Sequence, residues 1–400
     1  MAQQEEAGAL KLWAPVAGLT LSAFIFNTSE FIPIGLLSDI ARDFQITESQ
    51  AGMIITVYAW IVTVLSLPLM LLASKVEFKK LLLGILSLFV LSHFLSAVAP
   101  SYLTLMLSRA GVAFSHSIFW SIASPLAVKI APQGKRAAAL GMVITGTSVA
   151  MIAGLPLGRM IGLYMGWRAT FLSIGIVALA VALFLLFVFP RVPTGSQGSS
   201  VSKLPGIVKN PALIGVYALT ALIFTANFTA YSYIEPFMAQ IAHMPESEIT
   251  FSLTMFGIAG IVASIFFSHF YERHPVFFFA TGTFGLSLFL LLLKFSAVHI
   301  WSAMVLCVFW GVTFTIFGLV FQSVVIRLEP QATPIAMSIY SGIANVGIGG
   351  GALVGGWVCA LPAIEWIGYA GAAFAFVAGL ICFAMIKRFI SRQDIEPQLP

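Results

Sequence analysis

The chain has 400 residues, of which 60% are hydrophobic and only 9% charged, with a mean hydropathy of +1.01 and a formal net charge of +5 at pH 7. A soluble domain carries roughly 25% charged residues, so a water-exposed fold of this composition would leave apolar surface uncovered and precipitate. The composition excludes a soluble globular protein and points to lipid as the solvent.

In chain order, twelve stretches are apolar and long enough to cross a ~30 Å hydrocarbon core, which takes about 20 helical residues. Spans 1 to 12 are expected near 13–38, 49–74, 79–99, 102–130, 137–163, 168–190, 210–240, 249–271, 275–295, 299–327, 334–361 and 366–388. Unbroken apolar runs such as Leu81 to Leu91 and Ala178 to Phe189 indicate helices. Barrel strands would alternate with period two. The expected fold is an all-α membrane protein with twelve transmembrane helices in two pseudo-symmetric six-helix bundles.

Lysine and arginine set the expected orientation. With the N-terminus inside, fifteen of the twenty fall in cytoplasmic segments, among them Lys75, Lys79, Lys80, Lys135, Arg136, Arg191, Arg273 and Arg327. Arg42, Arg168 and Lys294 fall outside, and Arg109 and Arg159 lie within spans. Both termini are expected in the cytoplasm, and the pI of about 9.1 reflects this topology rather than nucleic-acid binding. The first apolar stretch is too long for a cleavable signal peptide and lacks a small-residue cleavage site. Cys307, Cys359 and Cys382 all fall in spans without metal or disulfide spacing and read as packing residues.

The one long polar interruption, 191–208, contains Thr194-Gly-Ser-Gln-Gly-Ser-Ser and reads as a cytoplasmic linker between halves 1–190 and 209–400. A faint internal echo supports a repeat. Asn27, Glu30 and Pro33 in span 1 are matched by Asn227, Glu235 and Pro236 in span 7. Ala73 to Glu77 after span 2 is matched by Ser268 to Glu272 after span 8. Two equal halves suggest bundles rocking about a central site.

Charge inside a span is costly and needs a partner or a function. Glu30, flanked by Asn27, Thr28 and Ser29, is the acid best placed to load and release a proton as its exposure changes; the alternative is that it only pairs or hydrogen-bonds to hold helices together. Arg109 in span 4 is always charged and must be solvated, paired or bonded to carbonyls. His116 and Trp120 stand four residues apart on one face of span 4, and histidine titrates near neutral pH. His93 and His269, closer to span ends, read as structural.

Other polar and aromatic residues gather at mid-depth: Tyr58 in span 2, Asn227 and Tyr231 in span 7, Trp310 in span 10 and Asn345 in span 11. Amides and hydroxyls can bond sugar hydroxyls and aromatic rings can stack on a sugar's apolar face; the alternative for each is an interhelical bond. Tyr231-Ser-Tyr233-Ile-Glu235-Pro236 closes span 7 as a bend or a helix end. Gly154-Leu-Pro156-Leu-Gly158 in span 5 and the glycines of span 11 from Gly342 to Gly356 allow close helix approach. No P-loop, His-Glu-x-x-His motif or other catalytic constellation is present, so no enzyme is expected, and ATP is not the direct energy source.

Twelve spans, the central linker and the span 5 Gly-x-Pro-x-Gly run resemble the major facilitator superfamily. Leu105-Met-Leu-Ser-Arg109-Ala-Gly111 looks like that superfamily's span 4 motif, whose arginine is implicated in proton coupling. Gly154 to Gly158 looks like the span 5 antiporter motif, and Gly166-Trp167-Arg168 with Phe171 is similar to the opening of span 6 in the drug/proton antiporter branch. More specifically, Phe26-Asn27-Thr28-Ser29-Glu30-Phe31-Ile-Pro33, His116-Ser-Ile-Phe119-Trp120-Ser121 and Tyr231 to Phe237 resemble bacterial Sot-type sugar efflux transporters, over nearly the whole chain. One departure is in the loop 2–3 motif: Ala73 replaces Gly, Glu77 stands for Asp and Phe78 takes an Arg place, leaving Lys79 and Lys80. Its second-half copy, Ser268 to Glu272 and Arg273, also lacks the Gly. The charge relay that latches this family is therefore expected to be weaker here.

The resemblance implies a proton-coupled exporter of arabinose-like sugars and thiogalactosides, working by alternating access in a bacterial inner membrane. Coupling falls to Glu30, Arg109 and His116. Sugar contacts fall to Asn27, Tyr58, His116, Trp120, Asn227, Tyr231, Trp310 and Asn345, and the conformational motifs to Gly154, Pro156, Gly158, Glu77, Glu272 and Arg273. No cofactor or metal is expected beyond the proton gradient. The expected partners are a small sugar, protons and membrane lipid, with no nucleic acid, and the chain is expected to act as a monomer. A drug/proton antiporter and a passive facilitator are the alternatives.

Overall fold

The computed structural model describes residues 2–73, 76–192, 204–330, 333–361 and 363–390. Among them there is no strand. Twelve helices are long and apolar enough to cross a membrane: Leu12–Phe44, Glu48–Ser66, Phe78–Ala97, Tyr102–Ile130, Ala138–Met165, Trp167–Val188, Pro211–Gln240, Glu246–Phe270, Pro275–Ser296, Ile300–Leu328, Ile335–Ala360 and Ile364–Met385. Large apolar side chains such as Phe187, Phe383 and Val305 stand exposed on these helices. Water would penalise that surface, whereas hydrocarbon solvates it, so the chain is a multi-pass membrane protein.

Most boundaries fall within a few residues of expectation. Span 1 runs further than expected, to Phe44. Pro33 interrupts it with a 3-10 turn over Ile32–Leu36, after which an amphipathic helix Leu37–Phe44 continues to the left-handed residue Gln45. Proline is tolerated in a first turn, where its missing N–H is an orphan anyway. Span 7 breaks at Ser232 and Tyr233 and resumes as Ile234–Gln240, so the Tyr231 to Pro236 string is a bend rather than a helix end. The expected linker 191–208 is described only at its edges: Thr194 to Ser200 lies outside the described residues, and Leu204–Lys209 forms a short helix. The side chain of Asn210 then caps span 7 by accepting from the N–H groups of Ala212 and Leu213.

The chain divides into two compact units. The first comprises Met1–Ile46 and Ile61–Ser196, the second Thr47–Trp60 and Gln197–Pro400. The start of span 2, residues 47–60, therefore belongs to the second unit. There Tyr233 donates to the Ala352 carbonyl at 3.0 Å. A Cβ added at Gly52 would lie 2.0 Å from the Tyr233 oxygen, and one at Gly356 2.7 Å from it.

Glycine stripes draw the helices together in both units. In the first, an added Cβ at Gly146, Gly154, Gly158 and Gly162 would collide with Thr20, Thr28, Ile32 and Leu36 respectively. Both series climb together in multiples of four, so spans 5 and 1 lie side by side in one direction. A π-helical turn, Ala150–Gly154, sits just before Pro156 and absorbs the missing N–H. In the second unit, Gly347, Gly351 and Gly355 of span 11 press on the backbone of Ala221, Thr225 and Thr229 of span 7. In each stripe a glycine meets a threonine of the partner span: Gly154 meets Thr28, and Gly355 meets Thr229.

Candidate functional site

Glu30, His93 and His116 of the first unit gather around one guanidinium. Arg109 is 1% exposed and reaches from span 4 to span 1. Its Nη2 donates to the Ser29 carbonyl at 2.7 Å and its Nη1 to the Ser29 hydroxyl at 3.0 Å. In an unbroken α-helix the Ser29 carbonyl would accept from the N–H of residue 33. Pro33 has no N–H, and Arg109 supplies a donor in its place. The forked, planar guanidinium suits two acceptors on one residue. Below it lies the ring of Phe171, 5.5 Å from the guanidinium carbon.

Ser29 in turn contacts His93 Nε2 at 2.9 Å, and His93 Nδ1 contacts the Phe89 carbonyl at 2.9 Å. A carbonyl only accepts, so Nδ1 carries the proton. In the neutral imidazole Nε2 then accepts the Ser29 hydroxyl proton. Ser29 and His93 are fully buried. In sequence His93 reads as structural, and only the packing of span 3 against span 1 brings it to Ser29. The freed carbonyl of Ser29 had a legible signal in the Pro33 four residues later.

Glu30, next along the chain, lies 3.8 Å from His116 Nε2, with its carboxylate side chain 11% exposed. That spacing is an ion pair when His116 is protonated and too long for a direct hydrogen bond. Arg109 interacts electrostatically with Glu30, His93 and His116 alike. Apolar rings close the cluster: Phe26 stacks on Phe119 at 4.3 Å and tilts against Phe89 at 4.2 Å. Trp120 packs on His116 and Phe119 and remains partly exposed. The structure thus brings Glu30, Arg109, His116 and Trp120 together. Asn27 turns away from them and donates to the Thr147 carbonyl on span 5 at 3.3 Å.

The second unit holds a neutral, aromatic counterpart. Trp310 Nε1 donates to Asn227 Oδ1 at 2.8 Å, both residues fully buried. Tyr231 stacks on Phe256 at 4.6 Å and meets Trp310 edge-on at 5.9 Å. The Asn227 amide nitrogen has no hydrogen-bond partner among the described residues, and nor does the Asn345 carbonyl oxygen, although Asn345 Nδ2 donates to Ser341 at 3.0 Å. Each is a spare polar atom in an apolar setting, where such groups normally find a partner. Tyr58 lies 3% exposed within the 47–60 segment.

The conformational motifs have different fates. Glu77 caps span 3, accepting from the N–H groups of Lys79 at 3.0 Å and Lys80 at 3.3 Å. Glu272 and Arg273 lie exposed in the turn before span 9, which starts after His274 without a side-chain cap. The two loops are therefore not equivalent. Gly154, Pro156 and Gly158 lie in the span 5 stripe. Arg159, four residues past Leu155 and 1% exposed, donates to the Gly35 carbonyl inside the turn made by Pro33.

The profile of the Major Facilitator Superfamily matches residues 19–226 and 216–399. A protein of Pasteurella multocida (strain Pm70) named "Probable sugar efflux transporter" is 46% identical over 382 residues, covering 96% of this chain and 94% of its own length. Among solved structures, a bacterial homologue of the human lysosomal transporter Spinster matches in fold. Its inward-facing, unoccupied form gives a TM-score of 0.77 at 15% identity, over 98% of this chain and 99% of the other. Its inward-facing, occupied form gives 0.74 at 16% identity, over 96% and 98%.

Proposed function

This chain belongs to the Major Facilitator Superfamily, and on that premise we propose that it exports small sugars in exchange for protons by alternating access. The observation that carries the substrate class is the 46% identity, across 96% of the chain, to a protein named as a sugar efflux transporter. Arabinose-like sugars and thiogalactosides are the proposed cargo, the bacterial inner membrane the proposed location with both termini in the cytoplasm, and a monomer the working form.

Coupling is assigned to Glu30, with Arg109 and His116 beside it. The 3.8 Å spacing between Glu30 and His116, in a setting walled by Phe26 and Phe119, supports this reading. A carboxyl there exchanges a proton only when one side of the membrane reaches it, which ties its charge to the conformation. Sugar hydroxyls are assigned to the spare amide atoms of Asn227 and Asn345, and stacking to Trp120. Asn27, Tyr58, Tyr231 and Trp310 are already engaged in packing or hydrogen bonds, and serve in substrate binding by shaping those groups.

The test uses purified protein in proteoliposomes with an imposed pH gradient and radiolabelled arabinose, with a lipophilic cation dye in parallel. Gradient-dependent arabinose accumulation that is lost in Glu30→Gln is the expected result. Dye movement without arabinose movement would replace sugar by amphiphilic drugs as cargo. Equilibration without accumulation would make the protein a passive facilitator.

A further inference from the structure

We infer that Ser29 and His93 act together as positioning residues for Arg109, holding the guanidinium by an anchor that does not depend on the charge of Glu30. The inference deepens the proton-coupled reading above and rests on it for its functional consequence.

Ser29 is unusual among the buried serines of these helices. Ser22, Ser96 and Ser117 each donate to the carbonyl four residues back, at 2.8 to 2.9 Å. Such a bond spends the hydroxyl proton within the helix. The Ser29 proton goes instead to His93 on another helix, and the oxygen's lone pairs are left facing Arg109. The direction of that bond is set one step further out, because the Phe89 carbonyl fixes the proton of His93 on Nδ1. The main-chain carbonyl of the same serine, released by Pro33, provides the second acceptor. Four elements of the sequence, Phe89, His93, Ser29 and Pro33, therefore converge on one guanidinium.

The arrangement answers a specific difficulty. A buried guanidinium is costly without acceptors. A carboxylate that gains and loses a proton is an unreliable partner, since protonation removes the charge it offers. Glu30, His93 and His116 each interact electrostatically with Arg109. Two neutral acceptors on Ser29 hold it in place through either charge state of Glu30.

The experiment measures the rate at which phenylglyoxal modifies Arg109 in the purified full-length protein, read by peptide mass spectrometry. The exposed Arg42, whose side chain is 75% accessible, serves as internal reference. Arg109 is expected to react slowly in the native protein. Its rate should rise about tenfold in Ser29→Ala and in His93→Phe, the change expected from losing a hydrogen bond to a charged group. Ser29→Thr, which keeps the hydroxyl, should stay slow, and so should Glu30→Gln. Acceleration in Glu30→Gln equal to that in Ser29→Ala overturns the inference, as does an unchanged rate in both Ser29→Ala and His93→Phe. Size-exclusion chromatography identifies any variant that does not fold, and the other of the two then gives the reading. In proteoliposomes, gradient-driven arabinose accumulation should fall in Ser29→Ala and return in Ser29→Thr. A native protein that accumulates no sugar removes the transport reading, while the modification rates still judge the anchor.

Discussion

Arg109 Nη2 donates to the Ser29 carbonyl at 2.7 Å, and that oxygen is available because Pro33 has no N–H to occupy it. A helix break and a buried charge, each costly alone, thus meet each other's needs. The fork of the guanidinium matters, since Nη1 reaches the Ser29 hydroxyl at the same time. Lysine offers a point charge on a flexible stem. Arg109→Lys should therefore reduce gradient-driven export at least about tenfold, the loss of one hydrogen bond to a charged group, in the proteoliposome assay. Export at the native rate would show that a positive charge alone suffices.

Pro33→Ala returns an N–H to the helix at the position that faces the Ser29 carbonyl. It also removes the reason for the 3-10 turn over Ile32–Leu36, whose Gly35 carbonyl holds Arg159. The expected outcome is a protein at least as stable to heat, because an interior helical bond is gained, with slower export. A variant that transports normally would mean that the break is incidental to function.

Gly351→Ala should destabilise the protein where Gly141→Ala does not. A Cβ at Gly351 would lie 2.6 Å from the Thr225 carbonyl oxygen and 2.8 Å from the Thr229 nitrogen, both backbone atoms that cannot swing aside. At Gly141 nothing lies within 4 Å. Overpacking of this kind typically costs about 1–3 kcal/mol. Thermal unfolding in detergent is the measurement, and equal Tm values for the two variants would remove close packing as the role of the span 11 stripe.

Trp310→Phe leaves the Asn227 oxygen without its donor at full burial. The expected loss is about 1–3 kcal/mol, the cost of an unsatisfied buried group. Asn227→Leu in the Trp310→Phe background should recover part of that loss, since the exposed need is then gone from both sides. Additive losses would show that the two residues are not coupled through the 2.8 Å bond.

The sequence by itself determined the class and the helix plan. Apolar runs of about 20 residues have few alternatives in lipid, where every backbone group must bond within its own segment. The same rule made Glu30, Arg109 and His116 legible, because charge is rare in such runs and conspicuous when present. Proline and glycine were legible as breaks and close approaches: Pro33 and Pro236 do bend their spans, Gly154 meets the Thr28 side chain and Gly351 meets neighbouring backbone.

Only the tertiary structure decided which of these residues share partners. His93 sits 64 residues from Ser29 in sequence, and nothing local to span 3 indicates that its ring faces span 1. Asn27 and Asn227 look equivalent in sequence, yet one bonds a backbone carbonyl on span 5 and the other an indole on span 10. Glu77 and Glu272 look equivalent too, and only one caps a helix. The physical reason is common to all three cases. Local pattern fixes what a helix exposes around its circumference, but which neighbour lies on each face depends on how side chains distant in sequence interlock, and that is settled only when the helices pack.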